Sequence, residues 1–419
     1  MHKVEKNFND PKFIRQNIES SKKSLICINC FDTKGRGIKK EDVIRIPKKT
    51  VFEKACHGCT NGVSGVCDVM IKTMDSLGGR DLDYIPVTHR CIRGRLDSSN
   101  GNVISMTTPA CPVCNGVVYE AVGKTIIISI IGSRDSGKSH FVGILLNELI
   151  GRLARQFRWN VDAPTLTRER CKEHHANLFV NKQRLALTQR NHSGLFEPYV
   201  FWITPLEGEA FTLVFFDTAG EDFEDNDSIE YAAKHAFHTS GIIFLIDPLK
   251  LVTVSNQIED KKLFGSTSIN AVTSFRSDAI LGILSQSIRH HGMIRERWQI
   301  KIPMAVSIPK IDAVTTIMPN YYTTLSKSPH GANGRFISSD CKHVNGEIQK
   351  WLKNIGDGVL DSFMMQIDVN YSNYSYFPFS ALGLGNSPNQ NGVFETPVPH
   401  RVEDPLLWIL TENGLINKR

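Results

Sequence analysis

The sequence predicts an α/β protein: a three-layer fold around a mostly parallel sheet, preceded by a small β-rich module. Three observations predict it. From residue 123 onward, apolar strand-like runs end in polar turns and alternate with helix-like stretches, the pattern of a parallel sheet covered by helices. A glycine-rich turn joins one such strand to a helix within Thr125–Ile150. Eight of the ten cysteines fall before residue 115, six of them as Cys-x-x-Cys pairs.

At 419 residues the chain has room for two or three domains. Residues 1–20 read as a polar leader, 21–122 as a cysteine-rich module of short strands and turns, and 123–419 as the main domain. Apolar content of 41% and charged content of 22% are ordinary for a soluble protein. No run reaches the ~20 apolar residues of a membrane helix. A cytoplasmic protein is expected.

In the front module, Cys27/Cys30, Cys56/Cys59 and Cys111/Cys114 form the pairs, with Cys67 and Cys91 between them. Two thiolates three residues apart on a tight turn can grip one tetrahedral Zn²⁺, and two such pairs complete the site. No apolar signal precedes them, which argues against a secreted disulfide framework. A redox pair would sit near a βαβ pattern, and none is evident. The first-choice site joins Cys27/Cys30 with Cys111/Cys114. A second would use Cys56, Cys59, Cys67 and Cys91, with His57 or His89 as replacements; a cross-braced arrangement stays open.

The formal charge of +6 is all in this module: residues 1–122 hold 19 basic and 13 acidic residues, and the remainder holds 30 of each. A basic excess invites a nucleic-acid reading. Thiolates in two Cys₄ sites would cancel most of it, so a protein partner is preferred.

The main domain opens on the strand Ile126–Ile131, rich in β-branched residues. Gly132, Ser133, Arg134, Asp135, Ser136, Gly137, Lys138 and Ser139 then complete a phosphate-binding loop of the form GxxxxGK[ST]. Glycine at both ends permits the sharp bend, and backbone N–H groups converge on phosphate at the helix start. Lys138 adds a point charge, and Ser139 offers a hydroxyl to Mg²⁺. Asp135 either fixes the turn or holds a monovalent cation.

A hairpin follows: strand Tyr199–Thr204, turn Leu206–Glu209, then a strand ending in Asp217-Thr218-Ala219-Gly220. Asp217 is expected to hold Mg²⁺, and the Gly220 N–H to approach a γ-phosphate. Strand Met304–Ile308 leads into Lys310-x-Asp312. One carboxylate can accept from guanine N1–H and NH₂ together, so Asp312 is the candidate base reader, with the Lys310 stem along the base. A last strand ends in Ser380-Ala381-Leu382, whose backbone can reach the guanine oxygen.

In this order the four motifs resemble a TRAFAC-class P-loop GTPase, and more narrowly the bacterial double-GTPase group. The tail Pro397–Ile416 resembles that group's closing helix, and the cysteine module resembles its attached zinc ribbons. The resemblance implies a GTPase-type fold, GTP and Mg²⁺ as ligands, and a role in prokaryotic signalling or conflict systems beside a partner. Pro309 stands where Asn or Thr is usual, removing a side chain that ties the base loop to the phosphate loop. Glu221 stands where related enzymes carry a water-orienting Gln. Thr188 is the candidate switch threonine, with Thr165 and Thr167 competing.

Three insertions are expected: residues 151–197, helical around His174–Leu187; 255–300, helical around Ser274–Arg297; and 313–372, with a helix near Asn345–Met365. The leading expectation is a GTP-hydrolysing switch whose loops a protein partner reads. The alternatives are an ATPase gripping nucleic acid through the zinc module, and a scaffold that binds nucleotide without turnover.

Overall fold

The structure is a computed structural model, and it describes residues 24–27, 44–47, 107–110, 118–133, 135–185, 198–217, 239–258, 277–291, 298–318, 320–331, 334–384 and 393–418. Residues 19–122 form one compact unit, and residues 123–419 belong to another.

In the first unit, β1 (Ser24–Cys27) pairs antiparallel with β4 (Val118–Ala121), and β2 (Ile44–Pro47) with β3 (Thr107–Ala110). Cys27 ends β1. Cys30, Cys56, Cys59, Cys67, Cys91, Cys111 and Cys114 lie outside the described residues, as does the leader. The expected pairing of Cys27 and Cys30 with Cys111 and Cys114, and the second cysteine site, therefore fall outside them too.

The second unit is built on a seven-stranded sheet in the order β11-β10-β9-β5-β8-β7-β6. Its strands are β5 (Lys124–Gly132), β6 (Trp159–Asp162), β7 (Tyr199–Pro205), β8 (Phe211–Asp217), β9 (Gly241–Leu245), β10 (Met304–Ile308) and β11 (Tyr374–Pro378). The five strands from β8 to β11 are parallel; β7 and β6 continue antiparallel at one edge. The β7–β8 hairpin matches the expected one. The edge strand β6 falls inside the first expected insertion and was not anticipated.

Side chains alternate across the sheet, as strand geometry requires. Ile126, Ile128, Ile130, Ile243, Leu245 and Phe377 enter one core. Ile242, Phe244, Met304, Val306, Ile308 and Tyr376 enter the other. The first core is covered by α1 (Lys138–Glu148) and by the closing helix, here α6 (Asp404–Glu412). Next to α1 packs α2 (Thr165–His175). The second core is covered by α3 (Ser277–His291), α4 (Ser338–Ile355) and α5 (Gly358–Asn370). Ile280, Leu281, Leu284 and Ile288 form the apolar stripe of α3, and Val344, Ile348, Trp351 and Leu352 that of α4. The one helix expected near Asn345–Met365 is thus two: Gly356, at φ 65°, ends α4 in the left-handed conformation, and Asp357 caps α5 by accepting from the Val359 and Leu360 N–H groups.

Among the described residues, no helix is long and apolar enough to cross a membrane.

Candidate nucleotide site

β5 lies between β8 and β9: the chain builds β6, β7 and β8 on one side of it and then crosses to β9 on the other. Crevices at such switch points, outside the carboxyl ends of parallel strands, are where open α/β sheets bind ligands. The predicted motifs converge there. Gly132 ends β5, Asp217 ends β8 beside Ile130, Lys310 follows β10 by two residues, and Ser380 follows β11 by two.

The loop after β5 is held in an unusual backbone. Asp135 has φ 58° and Gly137 φ 90°, and the Ser136 N–H donates to Ser133 O at 3.2 Å. A Cβ on Gly132 would lie 3.0 Å from Leu245 Cβ and 3.1 Å from Leu245 O, so glycine lets the loop cross close to β9. α1 begins at Lys138, with no side chain capping it and no acidic residue in its first turn. Its first N–H groups lack intrahelical acceptors, which favours an anion at this end. The buried Lys138 ammonium donates to Gly132 O at 2.7 Å and Ser133 O at 2.9 Å. Lys250 Nζ lies 3.2 Å from Ser133 Oγ on the same loop.

The candidate base-reading residues follow β10 and β11. Asp312 and Ser380 are brought together, the Ser380 hydroxyl lying close enough to favour the charged form of the Asp312 carboxylate. Burial raises the Asp312 carboxyl above its ordinary range, while the Ser380 bond and the Lys310 charge pull it down. The Phe379 N–H donates to Ile308 O at 2.9 Å and the Ile311 N–H to Phe379 O at 3.2 Å, lacing the two loops together. The Ala381–Leu382 turn is closed by Val398 N–H to Leu382 O at 3.0 Å and Gly383 N–H to Ser380 Oγ at 3.0 Å.

Pro309 brings no side-chain tie between its loop and the phosphate loop, and the neighbouring residue does. Lys310 Nζ donates to Asp135 O at 3.1 Å and pairs with Asp247 Oδ2 at 2.6 Å. The lysine supplies the tie through its own ammonium. Asp247 and Lys250 escaped the sequence reading. The signal was present, since Asp247 is a carboxylate just past an apolar strand, as Asp217 is. His140, which follows the loop motif, was also missed. Burial, then the charges of Arg184, Lys310 and His174, push its imidazole down to about 4.

Thr167 is not available as a switch residue: it is buried, and its Oγ1 accepts from the Val200 N–H at 3.2 Å. Thr165 is exposed at the start of α2. Arg134, Thr188, Gly220 and Glu221 lie outside the described residues, as does the Asp217 side chain. The same holds for the expected zinc ligands: the Cys27 side chain and all of Cys30, Cys56, Cys59, Cys67, Cys91, Cys111 and Cys114.

The residues fit the expected ligands. The Ser139 hydroxyl, in the first turn of α1, and the Asp217 carboxylate, at the end of β8, are hard oxygen donors suited to Mg²⁺. The glycine-lined turn with its lysine suits phosphate.

A second cluster is not a metal centre. His330, Asp340 and Asp404 offer ligand atoms within 4.8 Å of one another. Arg401 already fills the space between the carboxylates, 2.9 Å from Asp340 and 2.7 Å from Asp404. His330 Nδ1 accepts from the Ile337 N–H at 3.1 Å, so the neutral ring carries its proton on Nε2, facing the carboxylates.

No protein-family model matches the chain. SaeC of Mycolicibacterium smegmatis, named for ESX-1 scaffolding and assembly, is 29% identical over 159 residues, 36% of this chain and 40% of that protein. The chain therefore spans about two fifths of the length of the curated relative it matches. Among solved structures, the Arl6 BBS3 small GTPase of Trypanosoma brucei with bound GppNp aligns over 70% of this chain and 98% of its own. The identity is 9% and the TM-score 0.30, too distant for the likeness to carry an argument.

Proposed function

We propose that the chain is a Mg²⁺-dependent GTP-binding and hydrolysing switch. One observation carries the reading: the phosphate loop after β5 and the Lys310–Asp312 loop after β10 stand at the same edge of a parallel sheet, joined by the Lys310 ammonium on Asp135 O.

Each residue has a task in this reading. The α1 N-terminus and Lys138 bind phosphate oxygens. Ser139 and Asp217 hold Mg²⁺, which when bound offsets charge on the phosphates. Asp312 accepts from guanine N1–H and NH₂. The Ser380–Leu382 turn offers a backbone N–H to the guanine oxygen. Gly220 and Thr188 sense the γ-phosphate. Glu221 accepts from the attacking water, but lacks an amide donor, so slow intrinsic turnover or a group supplied by a partner follows.

The cysteine module binds Zn²⁺, in the first place through Cys27, Cys30, Cys111 and Cys114, and docks a protein partner. The name of SaeC fits a chain that works in an assembly beside other proteins. Purified protein with Mg²⁺ should bind GTP and GDP and release phosphate from GTP. Binding without phosphate release would leave a nucleotide-holding scaffold. Preference for ATP together with nucleic-acid binding would favour the ATPase alternative.

A further inference from the structure

We propose that Asp247 is a positioning residue for nucleotide binding, holding Lys310 across the phosphate loop so that the base-reading loop is fixed against it. This rests on the guanine-nucleotide reading above.

Asp247 lies two residues beyond β9 and is 3% exposed. A carboxylate so buried is costly unless paired and hydrogen-bonded. Both its oxygens are engaged. Oδ1 accepts from the Leu249 N–H at 3.1 Å, capping the turn Pro248–Lys250, and Oδ2 meets the Lys310 ammonium at 2.6 Å. That ammonium also donates to Asp135 O at 3.1 Å. Three segments meet at this nitrogen: the phosphate loop, the end of β9 and the Lys-x-Asp turn.

Lys310 cannot hold this position unaided. Its side chain is 36% exposed beside Asp247, and a lysine left in solvent samples many rotamers. The backbones it joins both need support, since Asp135 at φ 58° and Lys310 at φ 56° are left-handed. Non-glycine residues keep that conformation only where the surroundings impose it. Pro309 brings neither a side-chain donor nor an acceptor to the junction. The charge on Asp247 therefore selects one lysine rotamer, and that rotamer sets the spacing between phosphate and base sites.

A simple capping role for Asp247 predicts something different. Asp247→Asn keeps one acceptor oxygen for the Leu249 N–H but removes the charge that draws Lys310. The test follows release of a fluorescent GDP analogue with Mg²⁺ from full-length wild type, D247N, K310M and the double variant, beside each thermal midpoint. D247N is expected to keep the wild-type midpoint within a few degrees and to release nucleotide about tenfold faster. In the K310M background, D247N should add no further acceleration.

Wild-type release in D247N, or equal acceleration with and without Lys310, overturns the proposal while the GTPase reading stands. Wild type that binds no guanine nucleotide overturns both. If D247N does not fold, K310M decides: release at the wild-type rate overturns the proposal, and faster release supports it.

Discussion

Ser380 and His400 exchange both backbone hydrogen bonds, Ser380 N–H to His400 O at 3.0 Å and His400 N–H to Ser380 O at 2.9 Å. Ser380 is thereby joined to the residue before Arg401, a fully buried arginine at the centre of a charge cluster. Arg401 donates to Asp340 through both terminal nitrogens, to Asp404, and to the carbonyls of Ser326 and Thr323. The loop after β11 is thus anchored to the start of the closing helix.

Arg401→Met should therefore be strongly destabilising. It leaves the Asp340 and Asp404 carboxylates facing each other without a cation, a loss on the order of 3–5 kcal/mol for a broken buried pair. Urea unfolding of wild type and variant at pH 7 measures it. A change under ~1 kcal/mol would show that the cluster is not energetically coupled to the fold.

The same cluster gives a pH dependence. Burial pushes His330 down to about 4, so between pH 6.5 and 4 the unfolded chain takes up a proton that the folded chain refuses. Stability from this group falls as pH falls through that window. Burial raises Asp404 to about 6, so between 6 and 3.8 the folded chain binds the extra proton, and stability from this group rises as pH falls. The two oppose. In His330→Gln only the Asp404 effect persists, so the variant should lose less stability than wild type between pH 7 and 5. Equal losses in the two proteins would contradict the assignment.

Gly132→Ala tests the phosphate loop without touching a charged group. Its Cβ would press on Leu245 and lie 2.9 Å from Ser136 Oγ. The overpacking should cost about 1–3 kcal/mol and abolish nucleotide binding, as read by calorimetry on the folded variant. Wild-type affinity would mean that the loop does not hold phosphate.

The cysteine module should carry at least one Zn²⁺ per chain by metal analysis, and Cys111→Ser should destabilise it, because structural zinc sites couple binding to folding. A metal-free preparation of unchanged stability would remove zinc from the account.

Much of the second unit was legible because its signals are local. The run Ile126–Ile131 followed by a glycine turn specifies strand, loop and helix within a short window, and the Leu206–Glu209 turn specifies a hairpin. What escaped depends on distant pairs. Asp247 and Lys310 lie 63 residues apart, and their meeting is a property of strand order, not of either segment. Arg401 and Asp340 lie 61 apart, and neither sits in a pattern that marks burial. Strand β6 is four residues long, too short for a periodicity to separate it from the helical stretches around it. Thr167 read as a switch candidate because sequence does not tell a buried hydroxyl that holds a strand from an exposed one.

The most direct test of the account is a calorimetric titration of GTP, GDP, ATP and ADP with Mg²⁺ into full-length wild type, beside the folded Lys138→Ala variant. A half-buried carboxylate that accepts from guanine N1–H and NH₂, as proposed for Asp312, should reject adenine by about a hundredfold or more. The account predicts guanine-nucleotide binding with that preference and its loss in K138A. Equal affinity for GTP and ATP, or unchanged affinity in K138A, would contradict it.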